Sequence, residues 1–173
     1  MITFGRLRGS RFTRLGCATV VAASALALSS APASAVVVKR PLVITATNYR
    51  FQGIPKTLKA GPYAANLINT SDEPHVVVAV NLGPSCGASI TTISQAKDFV
   101  NSVQDEEAFA LACPGGSIAG IVFAKPRSAS RGTLRFEPGK ALYFCPIPEE
   151  DGTPHSDLGM IGFANVTGPP AAG

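Results

Sequence analysis

The chain has 173 residues, 15 Lys+Arg against 11 Asp+Glu, a formal net charge of +4 and a pI near 9.0. Four of the arginines and none of the acidic residues fall within residues 1–35, so residues 36–173 carry 11 basic and 11 acidic groups and no formal net charge. With no basic stripe and only 7% aromatics, a nucleic-acid binder is excluded.

In chain order, Arg6, Arg8, Arg11 and Arg14 form a basic n-region, an apolar run follows over 17–28, and Ala33-Ser34-Ala35 fits a small-residue cleavage site. The run is too short and too rich in Ala and Ser for a membrane span. Cys17 precedes the apolar core rather than following it, which does not suit a lipid anchor, and there is no twin-arginine pair. A cleaved export signal over 1–35 is therefore expected, giving a secreted or periplasmic protein with no membrane span afterwards. One domain is expected over 36–167. A disordered Gly/Pro/Ala tail is expected over 168–173.

The remainder reads mostly as β. Residues 42–46 are rich in β-branched side chains, 49–51 continue them, and Pro55 and 59–62 read as turns. Strands are expected at 63–68 and, after the polar loop 69–74, at 75–80, whose continuous apolar run marks an interior strand. Thr92 caps an expected helix with Ile93, Ala96, Phe99, Val100 and Val103 on one face, and 105–110 add another turn. The acidic run 105–107 reads as a solvated helix face. Strands resume at 118–124; 134–136, the turn 137–140 and 141–145 read as a hairpin; the last strand is 161–167. These elements predict an all-β Greek-key sandwich of about eight strands with one helical insertion.

The chain has two histidines, His75 at the start of a strand and His155 in a late loop, and one of its two methionines is Met160. Cys145, His155 and Met160 follow the spacing C-x9-H-x4-M. Two imidazoles, a thiolate and a thioether are a mixed, soft donor set, and a two-His, one-Cys plane with a weak axial Met suits a copper ion that transfers electrons. Each residue alone has a plainer reading, as polar surface, core or a buried small apolar group; their coincidence points to one mononuclear copper site.

Asn69 then His75 on an early strand, Pro138-Gly139 before Tyr143-Phe144-Cys145, His155 in the following loop, and Gly159-Met160-Ile161-Gly162 opening the last strand together resemble the cupredoxin family of blue copper proteins. The resemblance spans essentially all of 36–167, and is nearest in kind to exported bacterial cupredoxin-like proteins. It implies the ligands His75, Cys145, His155 and Met160, a transient redox partner and a monomer. His155 is then the electron exit, with Leu158 and Ile147 as a docking patch. Two features depart from the family. The Cys-to-His gap is long and carries Glu149, Glu150 and Asp151. Val76 stands where several members brace the ligand loop with a hydrogen-bonding side chain. Within this assignment, Cys86 and Cys113 bracket the helical insertion and form the simplest disulfide, leaving Cys145 for the metal; other pairings stay open on sequence alone. The alternative reading is a cupredoxin-fold binding or copper-carrier module with no redox role. Two histidines are too few for an added catalytic copper centre, so an enzyme is not expected.

Overall fold

The computed structural model describes residues 40–103 and 105–169. The expected signal at 1–35 and most of the expected tail, 170–173, lie outside the described residues. Nine strands are present: β1 (Arg40–Thr47), β2 (Arg50–Gln52), β3 (Thr57–Lys59), β4 (Gly61–Asn69), β5 (His75–Leu82), β6 (Ser117–Ala124), β7 (Ala129–Phe136), β8 (Gly139–Phe144) and β9 (Ile161–Thr167). They form two sheets, in the orders β2-β1-β4-β7 and β3-β9-β8-β5-β6. β1 with β4 and β3 with β9 run parallel; the other pairs are antiparallel.

The sheets face each other across a core that includes Ile44, Leu67, Val77, Leu134, Phe136 and Ala164. A second apolar cluster lies on the other face of the five-stranded sheet. There Val80, Leu82 and Leu142 pack with the helical insertion through Cys86, Ala96, Phe109 and Cys113. Both faces of β5 are thus covered, which is why its sequence is an unbroken apolar run rather than an alternating one.

The insertion comprises α1 (Pro84–Ser89), α2 (Ile93–Ser102) and α3 (Glu106–Ala112). Thr92 caps α2 as expected, in a reciprocal capping box with Gln95. Asp105 caps α3 by accepting the Ala108 N–H, and Glu106 and Glu107 sit in its first turn, where the helix dipole favours negative charge. A disulfide joins Cys86 to Cys113 with their Cα atoms 5.6 Å apart, tying the two ends of the insertion together.

Two expectations are corrected. Residues 134–145 do not make a hairpin: β7 pairs with β4 in one sheet, whereas β8 pairs with β5 and β9 in the other. The Pro138-Gly139 signal marks a reversal of the chain, but the chain crosses between sheets as it turns. The second correction is β3, which lies among the turn signals at 55–62. Its three residues pair with the end of β9, Leu58 opposite Val166.

Candidate metal centre

The register of the five-stranded sheet brings three chain segments to one end of the sandwich. Phe144 pairs with Val78 on one side and with Ile161 on the other, so Cys145 and Met160 follow onto the edge where His75 opens β5. Backbone hydrogen bonds then fix the ligand loop: Cys145 N–H donates to Met160 C=O (3.0 Å), Ser156 N–H to Cys145 C=O (2.8 Å) and Met160 N–H to His155 C=O (2.9 Å). The nine residues between Cys145 and His155 do not spread the site apart. Pro148 bridges Pro154, Glu149 N–H donates to Thr153 C=O at 2.9 Å, and Gly152 takes φ +87° at the tip. The extra length folds outward as a small finger, and His155 N–H returns to Ile147 C=O at 2.8 Å, at the start of the short helix α4 (His155–Leu158).

Inside, one ligand atom each of His75, Cys145 and His155 lie within 4.8 Å of one another. The two Nδ1 atoms are 3.1 Å apart and Cys145 Sγ is 3.5 Å from His155 Nδ1. His75 and Cys145 are wholly buried and His155 is 2% exposed. Met160 is buried in the same core cluster as Cys145 and bonded through its backbone to both Cys145 and His155.

A chain of buried polar groups surrounds the outer nitrogen of His75. Asn69 Nδ2 donates to the carbonyls of Glu73 and Lys125 (2.6 and 3.0 Å), so Asn69 Oδ1 is the acceptor. Ser71 N–H and O–H both reach that oxygen, at 3.0 and 2.8 Å. With its hydroxyl proton on Asn69 Oδ1 or Glu73 C=O, Ser71 Oγ is placed to accept from His75 Nε2–H at 2.8 Å. His75 Nδ1 is left with a lone pair, directed at His155. On the far side of His155, Nε2 stands 2.8 Å from Glu149 Oε1 and 3.7 Å from Glu73 Oε2, and these carboxylates favour a proton there. The two facing Nδ1 atoms lie at hydrogen-bond distance from each other, with a sulfur beside them.

Burial reinforces this. It pushes His75 down to about 4, helped by repulsion from a charge on His155, so His75 is neutral near pH 7. Burial also pushes the Cys145 thiol up, against the backbone N–H groups of Val76 and Ile147 that favour the thiolate. A neutral His75 beside a buried thiol offers donors whose remaining proton a bound cation would displace.

Some expected roles change. His155 does not present a free ring edge: Glu149 and Glu73 stand against its outer nitrogen, and Tyr49 packs edge-on with ring centroids 5.3 Å apart. Leu158 is exposed as expected of a docking residue, but Ile147 is half-buried against the core. Val76 does contribute a brace, through its backbone N–H, which reaches Cys145 Sγ at 3.5 Å. Ser71, Tyr49 and Glu149 are roles that sequence reasoning missed. One motif also escaped it: Gly83-Pro-Ser-Cys-Gly87 has G-x-S-x-G spacing. Both histidines, however, stand at the opposite end of β5, an eight-residue strand about 27 Å long, and Cys86 is in the disulfide, so no histidine serves Ser85.

The two-sheet topology, with this loop cluster at one pole, is that of a cupredoxin-like β-sandwich. No protein-family model matches the chain, and no curated protein does. Among solved structures it is similar to auracyanin A, a "blue" copper protein of Chloroflexus aurantiacus, at 20% identity and a TM-score of 0.46, over 73% of this chain and 98% of that one. It is similar to auracyanin of Roseiflexus castenholzii at 17% identity and a TM-score of 0.47, over 75% and 98%. It is also similar to rusticyanin at 17% and 0.42, over 73% and 78%.

Proposed function

We propose that the protein binds one copper ion through His75, Cys145 and His155, with Met160 as a weak fourth donor, and serves in single-electron transfer. The observation that carries this is the pair of Nδ1 atoms facing each other at 3.1 Å, with Cys145 Sγ 3.5 Å from one of them and Ser71 and Glu149 standing at the two outer nitrogens. Two imidazoles and a thiolate would form a nitrogen-and-sulfur donor set that suits copper better than harder, oxygen-seeking ions. A copper ion held there supplies a one-electron couple. The chain's own part is to keep the donors in place before the metal arrives: Ser71 turns His75, the Cys145–Met160 and His155–Met160 backbone bonds fix the loop, and burial excludes water. Both histidines are used in this site, which leaves none for a separate catalytic centre. The Cys86–Cys113 disulfide suits an oxidising, extracytoplasmic compartment, as the arginine-rich leader and Ala33-Ser34-Ala35 also do. Among the described residues no helix is long and apolar enough to cross a membrane.

A copper carrier without redox traffic is the second reading, favoured by the covered outer edge of His155. The deciding experiment is copper titration of the metal-free protein with metal analysis, visible absorption and a redox titration. One ion per chain, an intense thiolate band and reversible one-electron bleaching support electron transfer. Tight binding without reversible reduction supports carriage, and no copper uptake rejects both.

A further inference from the structure

We infer that Glu149 is a positioning residue of the copper centre proposed above, and that its negative charge biases that centre toward the divalent, oxidised ion. The inference rests on that proposal. The Glu149 carboxylate belongs to the outward finger, yet its Oε1 is buried, makes no hydrogen bond, and lies 2.8 Å from His155 Nε2. The contact misses hydrogen-bond geometry, so it acts through charge. Tyr49 holds this arrangement from the other side. It sits at φ +54° in the turn between β1 and β2, which brings its ring edge-on to His155. A hydrogen bond to Glu149 is the first cause of the rise in its phenol pKa.

Two consequences follow. First, a carboxylate at Nε2 keeps the proton on that nitrogen and the lone pair of Nδ1 turned inward, the role carboxylates play behind metal-bound histidines generally. Second, the Glu149 charge is better compensated in one oxidation state than in the other. A divalent ion with the Cys145 thiolate and the Glu149 carboxylate sums to zero, whereas a monovalent ion leaves the buried group at minus one. An uncompensated buried charge is costly, so the divalent state is favoured. Glu73, at 3.7 Å and 43% exposed, adds a weaker, solvent-screened contribution of the same sign. Glu73, Glu149 and His155 also lie within 4.8 Å of one another around an acidic cleft of about 510 Å³. With the proton on Nε2, that outer trio lacks the free nitrogen lone pair a second metal needs.

The test uses Glu149→Gln, which keeps the shape and removes the charge, Tyr49→Phe, which removes the hydroxyl that holds it, and Glu150→Gln as a neighbouring exposed control. In the metal-free protein at pH 8, ¹⁵N spectra of the two imidazoles read the tautomers. The expected result is a proton on His155 Nε2 in the parent, redistributed toward Nδ1 in Glu149→Gln and less so in Tyr49→Phe. In the copper-loaded protein, Glu149→Gln should shift the ratio of Cu(II) to Cu(I) affinity by about tenfold toward Cu(I), equal to a rise of about 59 mV for one electron. Glu150→Gln should change neither. An unchanged tautomer and ratio in Glu149→Gln overturn the inference. So does a second metal ion per chain that this substitution removes. Absence of copper uptake would reject the proposed function instead, and the imidazole spectra of the metal-free protein would still decide the role of Glu149.

Discussion

At the scale of single residues, the donor atoms divide by what each gives the site. In the proposed site Cys145 supplies the thiolate, so Cys145→Ser should abolish any visible charge-transfer band while leaving the fold intact, because serine fits the same buried space. Met160→Leu should keep copper and shift its potential, because a thioether would be the weakest of the four donors. A visible band that survives in Cys145→Ser would mean the colour, and the site, lie elsewhere. Ser71 bears on affinity rather than colour. Ser71→Ala frees His75 Nε2 from its acceptor, so His75 Nδ1 no longer has a fixed lone pair, and copper affinity should fall by about 10- to 100-fold. Competitive chelator titration measures this, and an unchanged affinity would show that His75 is held by packing alone. The three side chains that cluster at the pole were legible in the sequence because scarcity singled them out: two histidines and, among the described residues, one cysteine left beside a paired two. Ser71, Tyr49 and Glu149 were not. Serine, tyrosine and glutamate in polar loops carry no periodic signal, and their contacts depend on how three loops fold over one another at the end of the sandwich.

At the scale of elements, legibility followed the source of each element's order. α2 was readable because its signal is local: a Thr92–Gln95 capping box ahead of an apolar face. β5 was readable because burial on both faces removes alternation. The pairing of β7 and β8 was not, because Pro138-Gly139 reports a reversal and nothing about which sheet receives the next strand. There the non-local partners decide: β4 for β7, β5 and β9 for β8. The helical insertion rests on local caps, its packing on the outer face of β5 and β8, and one cross-link. Replacing Cys86 and Cys113 together by serine should lower stability by about 3–4 kcal/mol, from the chain entropy of a closed loop of that size. The centre at the far end of β5 should keep its copper. Chemical denaturation with parallel copper titration checks both parts, and a loss of copper binding in the double variant would show that the insertion and the site are coupled.

At the scale of the whole molecule, the site's buried donors set how stability depends on pH before any metal binds. His75 has its folded pKa lowered to about 4 from 6.5, chiefly by burial. Between those values the unfolded chain binds a proton that the folded chain refuses, so acid favours unfolding. The stabilisation is complete above about pH 6.5, declines as pH falls through that window, and levels off near pH 4. It is worth at most about 3.5 kcal/mol, taking about 1.4 kcal/mol per pKa unit. Cys145 acts at the other end. Its raised pKa means the folded chain keeps a thiol proton that the unfolded chain releases above about pH 9, so stability should also fall on the alkaline side. The metal-free protein should therefore be most stable between about pH 6.5 and 9. The Asp72 carboxylate, lowered by its Arg127 partner, stabilises the folded chain above about pH 4 and loses that contribution only below it; the pair is on the surface, where screening weakens it. Thermal unfolding from pH 4 to 10, with His75 followed by its ring resonances, measures this directly. In His75→Asn the acid limb should flatten while the alkaline limb remains. A flat profile from pH 6.5 to 4.5 in the parent protein, or a His75 that titrates near 6.5, would show that the ring reaches water and that the polar chain from Asn69 through Ser71 does not hold it inward.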